Sequence, residues 1–222
     1  YITCGECRAC KKGRFDQCEN AYIHLGMSPG QAPYFTGTFA THYYVFPKQH
    51  FYKVPDTLPD SLAAGANCRF SQIYYGLEHL KPVAGETVLI QGAGSMGLYA
   101  SAIGKELGLT TIVIDSVAER LEMAKRFGAD HVISMVDYPT LEEREKAVKE
   151  LAGGRGADMA IEVTGVARYL PEYLHKSLLF LDKFQHKYPF EEFSSVTLPL
   201  EQLEEGMAMV GDKKVIHAMV QP

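Results

Sequence analysis

Four of the five cysteines crowd into one short stretch, "CGECRACKKGRFDQC", residues 4 to 18, among lysines and glycines with few apolar neighbours. Cys4, Cys7, Cys10 and Cys18 are spaced C-x2-C-x2-C-x7-C. Short steps of this kind let one tight turn aim several thiolates at a common point, and the longer step returns the chain to close a tetrahedron. A structural Zn2+ wants four such ligands and leaves no open position. An iron–sulfur cluster has the bacterial signature C-x2-C-x2-C-x3-C-P; here the last gap is seven residues and Glu19 follows. Paired disulfides belong to small, cysteine-dense secreted scaffolds, whereas this chain has 222 residues and one further cysteine. Zinc is therefore the leading reading. Such an ion would close a lobe too polar to fold on a core of its own, stabilising without catalysing.

A second chemical signature follows in "GETVLIQGAGSMGLYASAIGKELGLTTIVIDSVAERLEMAKRFGAD". The strand pattern "TVLIQ" runs into Gly92-x-Gly94-x-x-Gly97, then a helical pattern, then a second strand pattern, "TIVID". A glycine triple alone is weak, but between a strand and a helix it has a mechanism. Gly92 permits the tight turn, Gly94 lets the backbone approach a pyrophosphate, and Gly97 lets helix and strand pack closely. The phosphates would sit at the positive end of a helix starting near Ser95 and Met96. Asp115 lies eighteen residues beyond Gly97, at the end of the second strand. There a carboxylate accepts the ribose hydroxyls of NAD and repels the 2′-phosphate of NADP. The competing readings are a doubly wound domain without a nucleotide and a methyltransferase using its adenosine end.

The elements that must position these residues follow from texture. Residues up to about 60 read as loops and short strands. "MSPGQAPYFTG" and "TFATHYYVFPKQHFYKVPDTLPD" are aromatic and β-branched runs broken by Pro and Gly, which predicts a small antiparallel β domain. At "LPDSLAAGANC" the pattern turns helical, and strands then alternate with helices: "TVLIQ", "TIVID", "HVISM" and "DMAIEVTG" are the strand candidates. Hydrophobic residues at 46%, charged residues at 22% and a net charge of −5 are ordinary for a globular chain. Without a long basic run, no nucleic-acid partner is expected. Without an apolar run of about 18 residues, no membrane span is expected either.

Taken together, these stretches resemble the zinc-containing medium-chain alcohol dehydrogenases, a family of the medium-chain dehydrogenase/reductase superfamily. The resemblance runs along nearly the whole chain, from the cysteine lobe through "GAGSMGLYASAIGKELG" and "GGRGADMAIEVTG" to "TLPLEQLEEGMAMV" and "KKVIHAMV". It implies an α/β fold: a Rossmann-type doubly wound parallel sheet plus a β-rich GroES-like catalytic domain carrying the zinc lobe. The implied boundaries are 1–70 for the β-rich part, 71–170 for the dinucleotide-binding domain and 171–222 for a return to the catalytic domain. Cys4, Cys7, Cys10 and Cys18 take the structural-zinc positions, and Cys68 takes that of the last catalytic-zinc cysteine. On composition alone, Cys68 is more simply a small apolar filler. Asp115 takes the ribose position and Arg120 the basic position beside it. Thr164 and Gly165 would border the nicotinamide. Gln72 stands where the family often has Thr. The eight histidines stand singly and read as surface or packing residues.

The resemblance implies an NAD-dependent oxidoreductase interconverting an alcohol, secondary or polyhydroxylated, and its carbonyl. A homo-oligomeric, cytoplasmic protein goes with it. Zinc-free quinone or enoyl reductases and a non-catalytic, zinc-stabilised nucleotide-binding protein are the alternatives. Two family features are missing. The motifs that supply the first two catalytic-zinc ligands do not occur, and only four of the six strands of a full Rossmann sheet are found. The chain also opens on Tyr1. The expectation is that the sequence joins pieces of a longer chain, the alternative being a truncated product that cannot bind nicotinamide properly.

Overall fold

The computed structural model describes residues 2–23, 27–34, 36–47, 49–163, 172–194, 196–212, 215 and 218–221. The cysteine lobe comes first, with one helical turn, α1 (Arg8–Lys11), and a 3-10 turn at Phe15–Gln17. The stretch 36–58, expected as antiparallel strands, contains no strand among its described residues. Tyr43, Tyr44, Val45 and Phe51 are exposed there. Strand preference in such residues is a preference for a pleated, half-covered surface, and nothing described supplies that cover.

The helical switch falls where the sequence places it. Helix α2 (Asp60–Gly65) passes through a π-helical turn, Ala66–Phe70, into α3 (Ser71–Leu80). The Ser71 hydroxyl donates to the Ala66 carbonyl across that wide turn at 2.6 Å. Strands and helices then alternate: β1 (Thr87–Gln91), α4 (Ser95–Glu106), β2 (Thr110–Asp115), α5 (Ala118–Arg126), β3 (His131–Ser134), α6 (Leu141–Leu151) and β4 (Met159–Glu162). All four strand candidates are present. They form one parallel sheet in the order β3-β2-β1-β4. Since β4 returns to the far side of β1, the order reverses between them. Open α/β sheets bind ligands at the carboxyl ends of the strands at such a reversal.

Capping and glycine chemistry fix the boundaries. Thr140 and Glu143 form a capping box at the start of α6. Gly108, at φ +77°, ends the turn after α4. The two faces of the sheet differ in cover. On one, Val88, Ile90 and Val113 share a buried cluster with Leu98 and Ile103 of α4, Phe70, Leu77 of α3, and Leu178 and Leu181 of α7 (Glu172–Phe184). On the other, Ile112, Ile114 and Ile133 pack on Ala147 and Val148 of α6, while Ala160 and Glu162 of β4 are exposed. A second, two-stranded parallel sheet pairs β5 (Val196–Pro199) with β6 (Ala218–Gln221), flanked by α8 (Leu203–Gly211).

Candidate functional site

The glycine turn after β1 can be taken residue by residue. Gly92 has φ +104°, a conformation that costs an L-residue strain. A Cβ on Gly97 would lie 1.8 Å from the Gly92 carbonyl oxygen, so only glycine lets α4 start this close to β1. A Cβ on Gly94 would meet nothing within 4 Å, leaving the backbone open to a ligand. Gly94 caps α4 without any side-chain hydrogen bond, which leaves the first-turn amides of Ser95, Met96 and Gly97 without a capping side chain. An uncapped helix start, bare backbone and a sheet reversal fit a bound diphosphate.

Asp115 closes this turn. Its Oδ2 accepts from the Ala93 amide at 2.6 Å and its Oδ1 from the Val117 amide at 2.9 Å. Each carboxylate oxygen keeps a second lone pair, so the group can brace the turn and still accept from a ribose. Arg120 lies on α5, half-buried. Thr164 and Gly165 lie outside the described residues.

The lobe thiols converge. The sulfurs of Cys4, Cys7, Cys10 and Cys18 all lie within 4.8 Å of one another, with Cys4 and Cys10 sulfurs 4.0 Å apart. Four sulfurs at about 2.3 Å from one tetrahedral ion stand about 3.8 Å apart, so the donor set fits a single zinc. All four thiols are free, which sets the disulfide reading aside. Backbone amides already point at the sulfurs: Glu6 and Cys7 donate to Cys4, Cys10 to Cys7, and Cys4 to Cys18, each at 3.4 Å. The Glu6 and Cys7 amides hold the Cys4 thiol down at about 6. Cys10 goes the other way, pushed up to about 12 by burial. A thiolate-binding cation would relieve that burial cost.

Cys68 stands apart from this cluster. It is exposed in the π-helical turn, and the Gln72 amide donates to its sulfur at 3.3 Å. Among the described residues, the only group of three or more metal-ligating side chains is the four-cysteine cluster. A catalytic zinc on Cys68 therefore lacks its companion ligands among them. One contact escaped the sequence reading: the Arg69 guanidinium donates to the Ser95 hydroxyl at 3.1 Å. The two residues are twenty-six positions apart, and no spacing rule connects them.

With this geometry in hand, comparison with known proteins is specific. A zinc-binding dehydrogenase family model matches residues 95–177. The L-threonine 3-dehydrogenase of Pseudoalteromonas translucida is 35% identical over 167 residues, covering 75% of this chain and 45% of that protein. These matches support the medium-chain dehydrogenase family for this chain. The L-threonine 3-dehydrogenase of Pyrococcus furiosus is 33% identical over 175 residues, 78% of this chain and 46% of that one. This member thus spans about half the length of the curated relatives it matches. An alcohol dehydrogenase crystal structure from Thermotoga maritima superposes with a TM-score of 0.89 at 22% identity, over 100% of this chain and 74% of that one. An NAD-dependent alcohol dehydrogenase superposes at 0.75 and 20%, over 100% and 74%. These likenesses show the fold. No helix among the described residues is long and apolar enough to cross a membrane.

Proposed function

We propose that this family member carries the NAD-binding half and the structural zinc lobe of an oxidoreductase that interconverts an alcohol, secondary or polyhydroxylated, with its carbonyl compound. The observation that carries the reading is Asp115 at the end of β2, its carboxylate 2.6 Å from the amide of the glycine turn. NAD, when bound, supplies the hydride acceptor. The chain's own residues bind and orient it. The amides of Ser95 and Met96 receive the phosphates, Gly94 lets the backbone approach, and Asp115 accepts from the adenosine ribose while repelling a 2′-phosphate. Arg120 lies on the helix just beyond. Cys4, Cys7, Cys10 and Cys18 hold zinc and keep the lobe folded.

The isolation of Cys68 favours a second reading, a zinc-stabilised nucleotide-binding protein without alcohol chemistry. We therefore derive no step through a catalytic zinc. The homologous dehydrogenases argue for the enzyme, which as a proposal is a cytoplasmic homo-oligomer. One experiment separates the two: zinc content per chain of the full-length protein together with its NAD reduction over a panel of secondary alcohols and polyols. Two zincs and alcohol-dependent NADH formation support the dehydrogenase. One zinc, NADH binding and no turnover support the second reading, and no NADH binding overturns both.

A further inference from the structure

A half-buried cation stands at the start of α4 with no carboxylate paired to it among the described residues. Arg69 belongs to the π-helical turn Ala66–Phe70, a local widening that re-aims side chains and recurs at functional sites. Its neighbours fix it. Phe70 and Ser71 are fully buried, and the Ser71 hydroxyl lies 3.0 Å from that of Ser177 on α7. From this anchored turn the guanidinium donates to the hydroxyl of Ser95, the first residue of α4, at 3.1 Å. Among the described residues that is its one hydrogen bond, and no Asp or Glu pairs with it.

A guanidinium has five donors in a planar fork, and Ser95 engages one of its nitrogens. Partial desolvation of a charge is unfavourable unless an opposite charge compensates. Beside it stands the uncapped first turn of α4, next to the open backbone at Gly94. That turn and the guanidinium ask for the same ligand, an anion with several oxygens. We infer that Arg69 binds the pyrophosphate of the dinucleotide directly, clamping it from the catalytic-domain side while the α4 amides hold it from the sheet side. This rests on the dinucleotide reading and adds a residue that the glycine motif does not contain.

The test compares ADP-ribose, which carries the pyrophosphate, with adenosine, which carries no phosphate, by ligand-observed NMR on the 222-residue chain. Arg69→Gln should weaken ADP-ribose about tenfold, as expected for a charged hydrogen bond, and leave adenosine unchanged. The salt dependence of ADP-ribose binding should become shallower. Equal affinity of both proteins for ADP-ribose, or an equal loss for both ligands, overturns the role of Arg69. Wild type that binds neither ligand overturns the dinucleotide reading itself. If Arg69→Gln melts far below wild type, Arg69→Lys carries the test. It keeps the charge and loses the fork, so a loss of about threefold confined to ADP-ribose supports the clamp and an unchanged affinity overturns it.

Discussion

The cysteine lobe and the four-stranded unit solve the same problem with opposite means. In the lobe the buried apolar side chains are Cys10, Cys18 and Ala21, with Cys4, Cys7 and Phe15 partly covered. That is too little apolar surface to offset the entropy of ordering the backbone. What organises it is polar: amide groups directed at sulfur and a thiol cluster that fits one cation. In the sheet unit, β1 and β2 bury Val88, Ile90, Ile112 and Val113 completely, and burial of apolar area supplies most of the stability. One region depends on a ligand, the other on packing.

The largest effect should come from breaking the lobe. Structural zinc contributes on the order of 10 kcal/mol to small metal-closed units. Cys10→Ser, or chelation, should remove about one equivalent of zinc and abolish amide protection over residues 4–21, while β1 and β2 keep theirs. Full zinc content and unchanged hydrogen exchange in Cys10→Ser would dissolve the contrast between the regions.

Within the sheet unit, two glycines three residues apart should part company. Gly97→Ala forces a Cβ to 1.8 Å from the Gly92 carbonyl oxygen, and overpacking against backbone should cost about 3 kcal/mol. Gly94→Ala meets open space at φ −73°, so its urea midpoint should stay close to wild type. Its Cβ would occupy ligand space, however, and NADH binding should weaken tenfold or more. Equal losses of stability in the two variants would remove the distinction between packing glycine and ligand-facing glycine.

What the sequence disclosed divides along the same line. The parallel strands were legible because a buried strand reads as a short apolar run between turn signals: Gly85 and Gly92 bracket "TVLIQ". The thiol cluster was legible because metal ligation dictates residue type and spacing. The described residues of 36–58 form no strand despite their composition, because strand formation depends on partner strands, and local composition carries no record of them. The contact between Arg69 and Ser95 was invisible for a related reason, since it is made by packing the π-helical turn Ala66–Phe70 against the start of α4. The two hydrogen bonds that Asp115 accepts from the Ala93 and Val117 amides lay between these extremes. Its spacing marked the carboxylate, but not its grip on the turn.

That grip modifies cofactor choice. Two like charges a few ångströms apart repel by about 1 kcal/mol in water and several at a partly buried surface, so wild type should prefer NAD over NADP by about a hundredfold. Asp115→Asn removes the repulsion together with half of the brace on Ala93 and Val117. NAD affinity should fall about tenfold, with NADP changing little, so the preference narrows mainly from the NAD side. Titration of both cofactors against both proteins checks it. Equal binding of the two cofactors by wild type would place Asp115 away from the ribose.

The smallest effect, acid response, separates the regions by pH. Zinc ligation needs thiolates, and protons compete for them. The amide-supported Cys4 thiol lies at about 6 before any metal binds, and a bound cation lowers it further. The lobe should therefore release zinc as pH falls, when protons displace the metal from its thiolates. In the sheet unit, burial of Asp130 opposes its ionisation. Lys105 at 2.6 Å and the Thr111 amide at 2.9 Å outweigh that and hold the carboxyl below its ordinary value. A depressed carboxylate contributes stability that is fully present above the unfolded value, about 3.9, and is lost as pH falls through the folded one. Asp130→Asn should thus cost about 1 kcal/mol at pH 7 and little near pH 2, read from urea midpoints at the two pH values. Zinc release measured with a colorimetric chelator should precede loss of the sheet on an acid titration. If sheet and lobe unfold together as zinc is released, the packing of the sheet unit depends on the metal after all.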